Sequence, residues 1–372
     1  MQREIISPRD NWKQIVESQG LTFHSRDGDY WNESACYRFT DSEITRFERA
    51  ANRLHELCLE AAQHIVDKDL FHKLAIPENA RQLIINSWNS DELHLYGRFD
   101  FCYDGFGEPK MLEYNADTPT SLLEASVIQW YFLQDRYPQK DQFNSLHEKL
   151  IARWQELGLE GRVHFTTLDS AEEDVITTEY LRDTASQSGH ETQYIGLSDI
   201  GYNPQSRTFR DLEERDIKNL FKLYPWEWVT REEFGVHVQE SGTRVIEPAW
   251  KMLWSNKGIL PILWDLHPNH PNLLPAYFEK GKLGSQFVRK PLLGREGANV
   301  MIYDYGKTTE TQGDYGEEGY VYQKYFPPRF FDGKNPVLGL WMIGDECCGM
   351  GIRESDKGIT DNTSQFVPHY IG

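Results

Sequence analysis

Two carboxylates, an amide and a guanidinium recur at alternate positions of one stretch, Arg98 to Asn115, RFDFCYDGFGEPKMLEYN. Strand alternation places Arg98, Asp100, Glu113 and Asn115 on one face and Phe99, Phe101, Leu112 and Tyr114 on the other. Between the two halves, Asp104-Gly105-Phe106-Gly107-Glu108-Pro109 reads as a turn, since glycine reaches positive φ and proline lacks a ladder donor. A hairpin symmetric about Phe106-Gly107 sets Asp100 opposite Glu113 and Arg98 opposite Asn115. Carboxylates whose Cβ atoms lie about 5 Å apart repel each other unless a cation comes between them. With the amide oxygen of Asn115 the set is all hard oxygen, the kind Mg²⁺ uses when phosphate completes its shell. The alternative is a charged surface hairpin on which Arg98 pairs diagonally with a carboxylate and nothing is bound.

A second block runs from Gln286 to Phe326. QFVRKPLL reads as a strand, Gly294-Arg295-Glu296-Gly297 as a turn and ANVMIYDY as the returning strand. A glycine hairpin can cover phosphates with its backbone N–H groups, and Lys290 just before it supplies positive charge. Lys251, in PAWKMLWSNK after the apparent strand TRVIEP, is a second lysine in an apolar setting, and its ammonium needs an anionic partner if buried. GYVYQKYF reads as a strand on which Gln323 and nearby backbone groups can meet an adenine edge. LGLWMIG and CCGMGIRES form another expected hairpin, which delivers Arg353 to stabilise developing charge or to pair with Glu354 or Asp356. Thr118 and Ser121, in the turn before LLEASVI, offer contacts to a substrate carboxylate, or simply cap a helix.

These groups need elements to hold them. Residues 40–73 carry Ile44, Phe47, Ala51, Leu54, Leu57, Cys58, Ala61 and Ile65 at helical spacing, with Asp41 or Ser42 as the expected cap. His55, His64 and His72 lie along that helix without an i,i+4 pair, so capping or solvated roles are expected of them. Residues 162–242 alternate: VHFTTL as a strand, a helix ending at Gly189, ETQYIGL as a strand, and DIKNLFKLYPWEW as a helix stopped by Pro225. Neither GxGxxG nor GxxxxGK[ST] occurs there. The 372 residues are 39% hydrophobic, enough for a large core and two joined lobes. Five scattered cysteines read as reduced thiols, and with no apolar leader or membrane-length run a cytoplasmic protein is expected. A net charge of -19 repels nucleic acid and attracts a cationic small molecule.

In combination and order, RFDF, MLEYNADTPTSLLEA, PAWK, KPLLGREGANV, YQKYF and GIRES resemble the synthetase domain of the glutathionylspermidine synthase family, over nearly the whole chain. The resemblance implies an α/β (α+β) chain with an ATP-grasp fold preceded by an α/β substrate-binding region. Residues 1–160 would then hold the helix and metal-site hairpin, 161–245 the substrate-binding region, and 246–372 the nucleotide lobe with its glycine flap. It implies that ATP and Mg²⁺ are used to join a small-molecule carboxylic acid, such as glutathione or another peptide, to an amine such as a polyamine. Carried over by position, Asp100, Glu113 and Asn115 hold Mg²⁺, and Arg98 and Arg353 are catalytic. The strand Arg98, Phe99 and Asp100 together with Lys251, Lys290, Gly294, Gly297, Gln323, Lys324, Tyr325 and Phe326 contact the nucleotide, and Thr118 and Ser121 the acid. The amidase domain of bifunctional members has no room here, so a synthetase-only relative is expected. Two other readings compete: a non-catalytic ATP-grasp-like nucleotide binder, and a glycosidase suggested by 11 Trp, 19 Tyr and abundant carboxylates. His267-Pro-Asn-His270 has no obvious third metal ligand.

Overall fold

In the computed structural model, which describes residues 1–25, 28–361 and 363–372, the charged hairpin forms as strands Tyr96–Cys102 and Lys110–Asn115. Arg98 lies opposite Asn115 and Asp100 opposite Glu113, as the turn residues dictate. Beyond Asp100 the register slips at a bulge, so Phe101 pairs with Met111 and Leu112 is the extra residue. Leu112 therefore leaves the apolar face expected for it. Met111 is fully buried in its place, and Leu112 borders the cavity described below.

The hairpin forms one side of a five-stranded antiparallel sheet completed by Asn335–Ile343, Glu346–Ser355 and Gln365–Phe366. This sheet joins segments from the first and last thirds of the chain and carries both Arg98 and Arg353. Gly339 pairs with Asp100. A Cβ there would come 2.9 Å from Arg98 Cδ, so the missing side chain gives the arginine room to lie across the neighbouring strand.

On the other face packs the helix Asp41–Asp67, whose apolar stripe is buried in a shared core with Phe99, Tyr114 and Trp254. Its cap is Thr40, where Asp41 or Ser42 was expected. Thr40 Oγ1 accepts from the Glu43 N–H and the Glu43 carboxylate accepts from the Thr40 N–H, which satisfies two N–H groups at once. The helix stops at Asp67, short of Lys73, and Leu70–Leu74 follow as a 3-10 turn.

A four-stranded parallel sheet comes next, in the order Arg244–Ile246, Asn219–Leu223, Val163–Thr167, Thr192–Tyr194, with helix Glu172–Gln187 against it. The helix expected over residues 216–228 is instead the inner strand Asn219–Leu223 followed by the single turn Trp226–Val229. All five strand residues are buried, and a parallel strand covered on both faces loses the alternation by which strands are recognised. Lys222 is tolerated inside because Asp117 pairs with it at 2.8 Å.

The glycine loop belongs to a second antiparallel sheet, in the order Ala276–Tyr277, Tyr320–Lys324, Gln286–Pro291, Met301–Asp304, Lys307–Glu310. Gln2–Ile5 and His369–Ile371 both pair with Ala35–Phe39, which brings the two ends of the chain together. The five cysteines are buried free thiols. Among the described residues, no helix is long and apolar enough to cross a membrane.

Candidate functional site

The three larger sheets border a cavity of about 410 Å³. Six Lys/Arg and four Asp/Glu side chains line it, a basic excess inside a chain of net charge -19. Such an excess is costly to desolvate unless an anion balances it.

One wall is the charged face of the hairpin. Arg98 donates from Nε to Asp100 Oδ1 at 2.7 Å, from Nη2 to Asp100 Oδ2 at 3.1 Å, and from Nη1 to the Thr120 carbonyl at 2.6 Å. Burial pulls the Arg98 pKa down, but the Asp100 charge and hydrogen bonds outweigh it and the net shift is upward. Asn115 Nδ2 lies 3.1 Å from both Asp100 Oδ2 and Glu113 Oε1. This NH₂ group therefore sits between the two carboxylates, where a cation would relieve their repulsion. Turning the amide over would put Oδ1 there and leave three oxygens around one point, a donor set that fits Mg²⁺.

The opposite wall supplies the lysines. Lys257 Nζ lies 3.1 Å from Glu113 Oε2 and donates to the Gly294 carbonyl at 2.5 Å. Lys290 Nζ donates to the Leu112 carbonyl at 2.8 Å and to Gln323 Oε1 at 2.9 Å, and Gln323 Nε2 donates to the Met111 carbonyl at 3.1 Å. The Gln323 side chain thus holds Lys290 in place, and Lys324, Tyr325 and Phe326 continue the wall beyond it. Burial opposes ionisation of Glu113, yet Lys257 and Lys290 hold its carboxyl well below the usual range. Burial also pulls Lys290 down to about 8 against the opposing pull of Glu113.

The glycine loop closes the cavity from above. Gly297 has φ +68°, and a Cβ on it would stand 2.4 Å from the Thr360 carbonyl oxygen, so no other residue fits. Arg295, on the same loop, donates to Thr118 Oγ1 at 2.5 Å and to Glu227 Oε1 at 2.6 Å. Arg353 donates from Nη2 to the Asp361 carbonyl at 2.8 Å, and neither of its expected acidic neighbours holds it: Glu354 is taken by Arg3 and Tyr37, and Asp356 by Lys334. The Nε groups of Arg295 and Arg353 are buried without a hydrogen-bond partner among the described residues, on side chains that border the cavity. Asp174, from the helix Glu172–Gln187, enters at the far end; burial first, then Glu173 and Glu296, push its carboxyl up to about 7.

A model of the family described as glutathionylspermidine synthase preATP-grasp matches residues 3–372. The chain belongs to the glutathionylspermidine synthase family. It is 46% identical over 364 residues to a Haemophilus influenzae protein provisionally named an acid–amine ligase, covering 93% of this chain and 92% of that one. It is 31% identical to trypanothione synthetase and 26% identical to glutathionylspermidine synthase, both from Crithidia fasciculata, over 85% and 94% of this chain. It spans only 53% and 60% of those two longer relatives. A glutathione synthetase-like effector from Globodera pallida, in its apo form, shares the fold over 99% of this chain, with a TM-score of 0.58 at 10% identity. The architecture is of the ATP-grasp type, and this family member is an ATP-dependent ligase.

Three residues named from the family pattern lie outside the cavity. Phe99 is fully buried on the core side, its ring 3.7 Å from that of Tyr114. Ser121 is buried with its hydroxyl 3.0 Å from that of Tyr30. Lys251 is fully buried and does find the anion it needs, but in Glu247 at 2.8 Å and the Tyr96 carbonyl, so it shapes the start of the Arg98 strand. The lysine that reaches the cavity is Lys257, the last residue of the same PAWKMLWSNK segment. Arg295 was visible only as part of a turn, and Asp174 only as part of a helix.

Lys257→Met is expected to weaken ATP binding at least tenfold and, because Glu113 keeps the Asn115 amide and partial solvent contact, to lower stability in urea by less than Lys251→Met does. Lys251→Met, which leaves the Glu247 carboxylate buried and unpaired, should cost about 3–5 kcal/mol of stability; calorimetric titration and unfolding curves read both, and the reverse pattern would contradict the assignment. Because the Lys290 pKa of about 8 separates a charged form below it from a neutral form above it, ATP affinity should be flat near neutral pH and fall as pH rises past that value. Lys290→Arg, which keeps its charge, should flatten the profile; a wild-type affinity unchanged up to about one unit above that pKa would contradict a phosphate contact.

Proposed function

We propose that the chain joins a small-molecule carboxylic acid to an amine, using ATP with Mg²⁺ and releasing ADP and phosphate. The reading rests on one observation above all: five cationic side chains, Arg98, Lys257, Lys290, Arg295 and Arg353, meet in one cavity whose wall carries the paired carboxylates of Asp100 and Glu113. A glycosidase needs neither the lysines nor the glycine loop.

Asp100, Glu113 and Asn115 would hold Mg²⁺, which neutralises phosphate charge. Lys257 and Lys290 hold the ATP phosphates from the other wall, and Gly294 to Gly297 cover them and keep water out. The adenine takes the end lined by Lys324, Tyr325 and Phe326. Thr118 and Arg295 orient the acid. Its carboxylate oxygen attacks the γ-phosphorus, the bond to ADP breaks, and an acyl phosphate forms whose leaving group is far better than hydroxide. The amine nitrogen then attacks the acyl carbon, the C–O bond to phosphate breaks, and the nitrogen loses a proton. Arg98 and Arg353 stabilise the negative charge that gathers on the transferring oxygens, a contribution that in comparable sites is worth about 10²–10³ in rate. Asp174, whose carboxyl burial pushes up to about 7, faces the incoming amine and is suited to take its proton.

The acidic surface favours a polyamine-like amine, and the names of the relatives favour glutathione or another peptide as the acid. A panel of thiol peptides and polyamines, read by ADP release and by mass spectrometry of the amide, identifies the pair. With the productive acid labelled with ¹⁸O in its carboxyl group, each turnover should place one labelled oxygen in the phosphate released. Amide formation with no label in phosphate would rule out the acyl phosphate, and saturable ATP binding with no acceptor-dependent turnover across the panel would favour a non-catalytic binder.

A further inference from the structure

On the face of the hairpin opposite Arg98 and Asp100 lies a second polar cluster, which the ligase reading does not use. His55 comes from the long helix, His94 from the segment leading into the Arg98 strand, and Asp345 from the turn between Asn335–Ile343 and Glu346–Ser355. Their ligand atoms all lie within 4.8 Å of one another. His55 Nε2 is 3.0 Å and His94 Nε2 3.2 Å from the same oxygen, Asp345 Oδ1.

In a tetrahedral zinc site, bonds of about 2.0–2.1 Å separate neighbouring ligand atoms by about 3.3 Å. The two measured separations are therefore close to the edges of such a tetrahedron, and little movement is needed to close around an ion. Both imidazoles are buried among aromatic rings, Trp254 against each and Trp250 against His94, while the Asp345 side chain is 71% exposed. Two buried nitrogen ligands thus face one solvent-accessible carboxylate, from whose side an ion can enter.

The ligands are held by bonds that adjoin them in sequence. The Gly344 N–H donates to the Leu95 carbonyl at 2.8 Å, next to Asp345 and His94. The Cys347 N–H donates to Asn52 Oδ1 at 2.8 Å, one turn before His55, and Arg153 Nε donates to the His94 carbonyl at 2.9 Å. The Tyr114 hydroxyl stands 3.4 Å from His55 Nδ1, where an outer-shell partner of a metal-bound imidazole belongs.

We propose that His55, His94 and Asp345 bind one Zn²⁺, or another nitrogen-preferring divalent ion, with water completing the shell. The chemistry differs from that of the all-oxygen Asp100, Glu113 and Asn115 site, because imidazole selects zinc-like ions over Mg²⁺. Bound there, the ion clips the long helix to the strand that carries Arg98 and to the hairpin paired beside it.

The test uses the full chain after chelation and dialysis, titrated with Co²⁺ and then Zn²⁺. One equivalent of Co²⁺ should produce the visible bands of a four-coordinate ion, Zn²⁺ should bleach them, and Zn²⁺ alone should raise the melting temperature by several degrees. Asp345→Asn, on an exposed turn, and His94→Gln should each weaken binding about 10–100-fold with an unchanged circular dichroism spectrum. If His94→Gln fails to fold, Asp345→Asn decides alone. Wild type with no visible bands would mean that the cluster is a hydrogen-bonded triad only, and Co²⁺ binding to Asp345→Asn with wild-type affinity would place the ion elsewhere; either result overturns the proposal.

Discussion

Two carboxylates set face to face by strand register, Asp100 and Glu113, are the constraint around which the cavity is arranged. Opposed anions at this spacing destabilise a hairpin, and each neighbouring polar group answers that cost. Arg98 forks onto Asp100, Lys257 meets Glu113, and the Asn115 amide bridges the two. These compensations are supplied by three different segments. The sheet places the arginine, the segment after residue 251 places the lysine, and the glycine loop anchors that lysine through the Gly294 carbonyl. A hairpin that is unfavourable alone thus becomes a site that a divalent cation and phosphate can satisfy.

The buried lysines divide into those that face the cavity and those that pair inside the protein. Lys222, Lys251, Lys257 and Lys290 are all buried. Lys222 and Lys251 are paired with Asp117 and Glu247 and face the protein. Lys257 and Lys290 hold carbonyls and Gln323 while facing the cavity, and Arg295 and Arg353 each have a buried Nε with no partner among the described residues. Positive charge left incompletely matched on the inside of a strongly acidic chain is suited to an anionic ligand.

How much of this could be read from the chain depends on how local each signal is. The hairpin register followed from the symmetry of its turn, and the Gly294 to Gly297 hairpin from two strands of clear alternation. The bulge at Leu112 has no local signature, so a residue assigned to the core proved to face the cavity. Asn219–Leu223 is buried along its whole length, Asn219 and Lys222 included, so it lacks the alternation that would have distinguished it from a helix. Lys251 and Lys257 share one apolar segment, and what divides them is Glu247, four residues before Lys251, whose carboxylate also accepts the Leu95 and Tyr96 N–H groups. His55, His94 and Asp345 come from three distant segments with no spacing to betray them. Only the fold brings them together.

The Asp100, Glu113 and Asn115 wall is proposed to bind a nucleotide through a divalent cation. The most direct measurement of this binding is the melting temperature with and without Mg-ATP, made in parallel on wild type and Asp100→Ala. A rise of several degrees in wild type that disappears in the variant is expected, with both proteins equally folded beforehand. An equal rise in both, or none in wild type at saturating nucleotide, would contradict it.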